Sequence, residues 1–503
     1  MYTFSSKLKT FSFILMLLGA IGIGVGFFNA PKNIEEAQEI IKANEGAHGG
    51  GHGDAKHENT HDAHEMPAVQ RAEKDAHQEH HAEVLHDTTA VAAAMANDSV
   101  ATHTDSTETA VAVVDHEDHQ AKAHANHEAD AHAEHQKHLE HQFHQLQNKP
   151  WAALYVACIF IMLISLGALA FYAIQQVAQA GWSPVLFRVM QGITAYLPVG
   201  SVIFFVLLVL CAMHFNHLFV WMDAEVVKND KLIAAKSGYL NIPFWLIRAA
   251  IFLIGWNLYR YYSRKNCLAQ DESNDNTFYK KNFKLSAAFL VFFIVTESIM
   301  SWDWIMSIDP HWFSTLFGWY VFASFFVSGI TTIALVTIYL KSKGYLEFVN
   351  TSHIHDLAKF MFGISVFWTY LWFSQFMLIW YANIPEEVTY FVTRIEDYNL
   401  PFFGMVVMNF VFPILILINT DFKRLTWVII MAGIVILLGH YVDFFNMIMP
   451  SAVGDQWFIG IPEISSLLFF VGLFLFVVFT ALTKVPLLAK RNPFIEESKH
   501  FHY

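Results

Sequence analysis

Ten apolar runs, each long enough to cross a lipid bilayer, alternate with polar segments along this chain of 503 residues. They lie near 10–29, 151–176, 193–216, 241–262, 284–306, 313–340, 357–382, 401–419, 425–447 and 458–483. A transmembrane helix needs about 20 predominantly apolar residues, so the pattern predicts an all-α integral membrane protein of about ten transmembrane helices. One long polar stretch, residues 30–149, separates the first run from the second. The first run follows Lys7 and Lys9 and ends in Phe28-Asn29-Ala30-Pro31. Signal cleavage needs a small residue three before the cut, where Phe28 is bulky, so an uncleaved anchor is favoured over a signal peptide. Its Gly19, Gly22, Gly24 and Gly26 would let another helix approach closely.

A second pattern lies inside the first. The fifth run ends Ser301-Trp302-Asp303-Trp304-Ile305-Met306-Ser307-Ile308-Asp309-Pro310, and the ninth ends Tyr441-Val442-Asp443-Phe444-Phe445-Asn446-Met447-Ile448-Met449-Pro450. In both, an Asp followed by an aromatic residue precedes a Pro by seven positions. Four helices separate the two, which preserves direction and suggests a duplicated four-helix unit, runs two to five and six to nine; chance similarity of two aromatic-rich helices is the alternative. The expected organisation is an anchor (1–29), a histidine- and acid-rich loop (30–149), a first four-helix bundle (150–306), a second (307–449), and a last span with a tail (450–503).

Charge sets the orientation. The chain is 55% hydrophobic and 15% charged, too apolar for an average soluble domain. Its net charge of -13 is concentrated in residues 30–149, which hold 23 acidic and 8 basic side chains, so nothing suggests nucleic-acid binding. Eighteen Lys and Arg fall in short segments on one side of the predicted spans, against Lys228, Lys231, Lys236 and Arg394 on the other. The positive-inside rule then puts both termini inside and the long loop outside. That loop carries 19 of the 27 histidines and few large apolar residues, so it cannot bury a core and is expected to be largely disordered or locally helical. From His132, His135, His138, His141 and His144 recur every third residue, along a helix leading into the second span. A solvated, pH-responsive linker is favoured over a metal-handling role.

Ionisable side chains within apolar spans are costly and are functional candidates by default. Glu297 sits near the middle of the fifth span, Asp303 nearly two turns further out, and Asp309 and His311 at the outer mouth. His440 and Asp443, three apart, share a face of the ninth span, and His214 and His217 repeat that spacing at the outer end of the third. Arg248 lies in the fourth span and Glu463 just inside the tenth; Glu386, Glu387 and Arg394 belong to an outer loop. Glu297, Asp303, His440 and Asp443 are the leading candidates for proton transfer, with Asp309, His311, Arg248 and Glu463 weaker. The structural alternatives are pairing of an aspartate with Arg248, and caps or turns at Asp309-Pro310 and Asn383-Ile384-Pro385. The inner half offers mainly Ser328, Thr331, Thr332, Ser365, Thr369, Ser374 and Gln375, then Asp356, Lys359 and Asp421. Such an arrangement suits a site that exchanges protons with the outer aqueous phase, or an outward half-channel meeting a weaker hydroxyl-and-water path from the cytoplasm. Cys158, Cys211 and Cys267 form no CxxC or CxxCH motif, so no intrinsic metal site or haem attachment is expected. A bis-histidine haem is disfavoured because no inner pair accompanies His214 and His440.

The ten-span layout, Trp302-Asp303-Trp304, Ser307-Ile308-Asp309-Pro310-His311-Trp312, Asn383-Ile384-Pro385-Glu386-Glu387 and His440-Tyr441-Val442-Asp443 together resemble the ActF membrane subunit of bacterial alternative complex III, of the NrfD and polysulfide-reductase membrane-subunit group. The resemblance covers about residues 150–490; the histidine-rich loop departs from it. It implies two four-helix bundles with flanking helices in a bacterial inner membrane, the termini cytoplasmic and the long loop periplasmic, and a complex that oxidises a quinol. Electrons would pass through iron-sulfur and c-type cytochrome subunits to a cytochrome or a terminal oxidase. In that scheme this subunit carries no redox cofactor of its own; a paralogous NrfD-like partner is the better quinol site and this type conducts protons. Two other classes stay open: a secondary transporter whose loop captures a metal ion, and a structural anchor for peripheral redox subunits.

Overall fold

The computed structural model describes residues 2–48 and 116–502. The chain divides into two compact units, one of Met1–Gln38 with Lys137–Tyr503, the other Glu39–Gln136. In the second unit the described stretches, 39–48 and 116–136, are helical. The middle of the histidine-rich loop, and the disorder expected of it, lie outside the described residues. The helix expected to lead into the second span is present, running without a break over His116–Val177. The expected boundary at 149/150 therefore falls inside a helix, as does that at 449/450, within Thr426–Val453.

The first unit contains ten helices long and apolar enough to cross a membrane, and all ten expected runs coincide with one. They are Ser6–Phe28, Gln142–Val177, Pro184–Ala212, Ile242–Gln270, Thr277–Ile308, Phe317–Ser342, Thr351–Ala382, Asn399–Leu417, Thr426–Val453 and Ile461–Leu482, the first to tenth spans. Several outrun their apolar stretch because a helix satisfies its own backbone and continues until a cap stops it. Asn241 caps the fourth through Phe244 N, and Asn350 and His353 form a reciprocal capping box at the seventh. The third span ends earlier than hydropathy suggested. His214 adopts φ +60°, and Met213 N and Phe215 N fold back on Val209 O and Leu210 O. His214 thus forms a left-handed turn and His217 lies beyond it, so the two do not share a helix face.

The first span lies along the tenth. A Cβ on Gly19 would fall 2.5 Å from Phe469 N, and one on Gly22 would overlap the Ser465 side chain; Gly26 meets Pro462, whereas Gly24 meets nothing within 4 Å. Spans two to five close one bundle and spans six to nine another, with neighbours in each ring packed together. The bundles meet where the second and sixth spans cross: Gly167 faces Phe325 O, and Gly329 faces the backbone of Gly167 and Ala168. Small residues allow such backbone approach between membrane helices. These two central spans are also the most enclosed, with 94% and 89% of their apolar windows buried.

Asn350 Nδ2 donates to Phe501 O at 2.5 Å and Thr3 Oγ1 lies 2.7 Å from Tyr345 OH, which gathers both termini on one face, the terminal face. On the opposite, loop face, Lys236 Nζ donates to Pro310 O (2.5 Å) and Trp457 Nε1 to Asp397 O (2.6 Å).

Candidate functional site

Two carboxylates at corresponding ends of the two bundles meet different surroundings. Asp303, near the loop-face end of the fifth span, is fully buried and held by Arg248 of the fourth: Nε to Oδ2 at 2.6 Å and Nη2 to Oδ1 at 2.9 Å. The Arg248 guanidinium lies 4.0 Å from the Tyr239 ring centroid and donates to Tyr239 O (3.2 Å). Burial, and then the neighbouring Asp303, push the Tyr239 phenol above its ordinary value, so it remains a neutral donor. Trp245 Nε1 fixes the Asp303 carbonyl (2.8 Å) and Tyr155 OH that of Trp304 (2.9 Å). This carboxylate has a bidentate counter-charge and a braced backbone.

Asp443, in the ninth span, is equally buried and, among the described residues, has no Lys or Arg ion-pair partner. Three neutral donors converge on it: Tyr320 OH on Oδ1, Ser324 Oγ on Oδ2 (2.7 Å) and Trp368 Nε1 on Oδ2 (2.8 Å). His440, one helical turn back on the same face, puts Nδ1 2.9 Å from Ser324 Oγ and 3.5 Å from Asp443 Oδ2. The other nitrogen, Nε2, is buried with no hydrogen-bond partner among the described residues. Ser324, Trp368, His440 and Asp443 are each 0% exposed. The geometry joins a carboxylate, a hydroxyl and an imidazole within hydrogen-bond reach of one another, and leaves one imidazole nitrogen unpartnered among the described residues. Such a set can hand a proton along by exchanging donor and acceptor roles.

From Ser324 the buried hydroxyls of Ser328 and Thr332 continue down one face of the sixth span, each donating to the carbonyl four residues before it at 2.8 Å. Thr331 Oγ1 and, across the bundle, Ser365 Oγ and Gln375 Nε2 are buried without partners. Asn409, from the eighth span, lies against the turn that carries His440. A Cβ on Gly439 would lie 2.1 Å from Asn409 Oδ1, yet neither end of the amide has a partner. Asn409 belongs to a π-helical stretch, Val407–Val411, in which Phe412 N reaches Val407 O. Pro413 explains the stretch, because it has no N–H for the Asn409 carbonyl and its ring crowds it.

The other sequence candidates are distributed around this cluster. Glu297 is 4% exposed; Oε2 accepts from Ser298 Oγ (3.2 Å) and Oε1 has no partner. Glu463 caps its own span by accepting from Gly460 N (2.8 Å) and leaves Oε1 unpartnered. Asp309 turns the loop by accepting from His311 N, and His311 Nε2 lies 2.5 Å from Asp230 Oδ2. His311 holds the Asp230 carboxyl below the usual range. Asn383 is a left-handed helix cap and Pro385 opens the helix Pro385–Glu396, as the turn reading expected.

Sequence reasoning passed over several residues. Arg394, taken for a loop residue, is 3% exposed: it stacks on Tyr390 at 3.4 Å, donates to Asn446 O (3.0 Å) and leaves Nη2 unpartnered. Trp312 stacks on Tyr390 with ring centroids 3.9 Å apart. Lys149 is buried over the Phe458 ring. At the terminal-face end of the first bundle, Gln176, Gln191, Ser263 and Asn282 all donate to Tyr172 OH, and Arg188 pairs with Asp271 at 2.5 Å. The inner half of the protein is therefore richer in polar groups than its hydroxyls suggested. Among the described residues, no three His, Cys, Asp or Glu side chains are placed to hold a metal ion.

No family model and no curated protein matches the chain.

Proposed function

We propose that this chain is a membrane subunit of a respiratory quinol-oxidising complex of the alternative complex III type, and that its second bundle conducts protons. The observation that carries the reading is the His440–Asp443 cluster. It is a buried carboxylate stabilised by neutral donors, beside an imidazole whose Nε2 has no partner among the described residues, in the loop-face half of a membrane bundle. Charges buried in this way are retained where they move or exchange charge. The dense packing of the cluster favours proton carriage over a quinol ring, so quinol is assigned to a paralogous NrfD-like partner. Haem and iron-sulfur centres belong to c-type cytochrome and iron-sulfur partners, and the electrons leave to a cytochrome or terminal oxidase. The excess of Lys and Arg on the terminal face supports a bacterial inner-membrane location with the termini cytoplasmic and the histidine-rich loop periplasmic.

Within the expected proton-transfer set, His440 and Asp443 are the exchanging pair, Glu297 is a separate buried carboxyl, and Asp303 is an anchor for Arg248. The test is purification of the intact complex with Asp443→Asn or His440→Gln. Assembly with multihaem and iron-sulfur subunits should persist while protons released per electron fall. Unchanged proton stoichiometry in both variants refutes the proton role, and co-purification of no redox subunit refutes the complex.

A further inference from the structure

Four cations converge on one cavity with no carboxylate among them. It opens at the terminal-face end of the fourth and tenth spans and measures about 650 Å³, a size typical of ligand pockets. Arg260, Arg264 and Lys265 line it from the fourth span and Lys484 from the end of the tenth. Arg260 and Arg264 are four residues apart on one helix, a spacing at which like charges repel. Arg260 and Arg264 are half-buried and Lys265 and Lys484 exposed, whereas the buried arginines of the spans, Arg188 and Arg248, each hold a carboxylate. Among the described residues none of these four does, and Arg260 Nε is buried without any hydrogen-bond partner. Asp271, close by in sequence, is already engaged by Arg188 and by Lys490 N. The arrangement lacks an anion.

The cavity wall identifies its source. Below the cations the lining turns apolar, with Phe476 and Val477 of the tenth span, and Tyr261 at its edge is 58% exposed. A free phosphate would meet only the charged rim. A phospholipid presents its phosphate at this level and its acyl chains along the apolar wall. Basic pockets between membrane helices are suited to such headgroups. We infer that this cavity binds the phosphodiester headgroup of an anionic phospholipid, seated between the fourth and tenth spans.

The test uses the full-length chain in a zwitterionic detergent, with lipid retention read by native mass spectrometry. Phosphatidylglycerol and phosphatidylcholine of identical acyl chains are offered in competition. Wild type should retain the anionic lipid about tenfold better. Arg260→Gln/Arg264→Gln and, separately, Lys265→Gln/Lys484→Gln should each bring that ratio towards one. Lys280→Gln/Lys281→Gln, which removes exposed cations outside the cavity, should not. Equal retention of the two lipids by wild type overturns the site, as does an unchanged ratio in both cavity variants. Displacement of the lipid by millimolar inorganic phosphate overturns the lipid in favour of a free anion. If the variants fail to fold, wild type alone decides: the ratio must fall as salt rises from about 0.1 to about 1 M, and a salt-independent ratio refutes the inference.

Discussion

Asp303→Asn should destabilise the fold more than any other single change among the buried ionisable residues discussed here. The variant keeps the shape of the side chain but leaves Arg248, whose side chain is 8% exposed, facing a neutral amide whose nitrogen opposes one of its own donors. A buried guanidinium cannot shed its charge. Breaking such a pair costs about 3–5 kcal/mol, which shifts the unfolding equilibrium by between about a hundredfold and a few thousandfold. Removing the other partner should cost less. In Arg248→Met the orphaned carboxyl can take up a proton, and the loss reduces to hydrogen bonds and the stacking on Tyr239, about 1–3 kcal/mol. Replacing both, Arg248→Met/Asp303→Leu, should recover most of the stability. Denaturant unfolding of the purified chain in micelles, followed by tryptophan fluorescence, measures all three. The reasoning fails if Asp303→Asn lies within about 0.5 kcal/mol of wild type, or if Arg248→Met is the more damaging change.

The first and tenth spans should separate in Gly19→Ala, where the new methyl meets backbone, at about 1–3 kcal/mol, and stay together in Gly24→Ala, which meets open space; cross-linking of cysteines placed on the two spans distinguishes them. The Asp230–His311 contact has a defined acid limit. Because the folded Asp230 carboxyl titrates below its ordinary value of about 3.9, its contribution is complete above that pH and disappears as pH falls through the lowered value. Proteolysis of the 213–241 segment should accelerate only on that acid side, and in Asp230→Asn the step should vanish. Asn409→Leu replaces an unpartnered buried amide with a side chain of similar shape. Thermal stability should hold or rise by about 1–3 kcal/mol, while proton release by the intact complex slows.

Hydropathy located every span because a bilayer core demands a continuous apolar stretch, and that demand is local in sequence. Ends were less legible: the third span stops at a left-handed turn whose residue is a histidine, not the glycine that normally announces one. His440 and Asp443 stood out for the same reason as the spans, as rare ionisable groups in an apolar run with helical spacing. Their partners did not. Tyr320, Ser324 and Trp368 come from two other helices, and in a chain with 18 Tyr and 14 Trp nothing local distinguishes the ones that donate to a carboxylate. Arg394 was hidden for the opposite reason. Its short amphipathic helix reads as a polar loop, and only packing against the ninth span buries the guanidinium. Asn409 had a readable signal, an amide in an apolar run four residues before a proline, where the missing N–H disturbs the helix at that turn.

The two bundles run in the same direction and meet at Gly167 and Gly329, so the interval between those glycines, 162 residues, sets a register between the second and sixth spans. In that register the positions of Tyr320 and Ser324 correspond to Cys158 and Met162, both 0% exposed. The donors that solvate Asp443 are thus replaced, in the first bundle, by side chains that solvate a carboxylate poorly. A buried carboxylate there needs another source of stabilisation, and Arg248 provides it. The reverse holds in the second bundle. A guanidinium in bidentate contact with Asp443 would fix its charge and oppose protonation of His440 nearby, whereas three neutral donors leave both groups free to exchange a proton. The nearest equivalent cation, Arg394, stacks on Tyr390 as Arg248 stacks on Tyr239, but its Nε is directed to Asn446 O rather than to a carboxylate. The same device, an arginine seated on a tyrosine at the loop face, locks the carboxylate in one bundle and leaves it free in the other, and that asymmetry is the physical reason to assign proton exchange to the second.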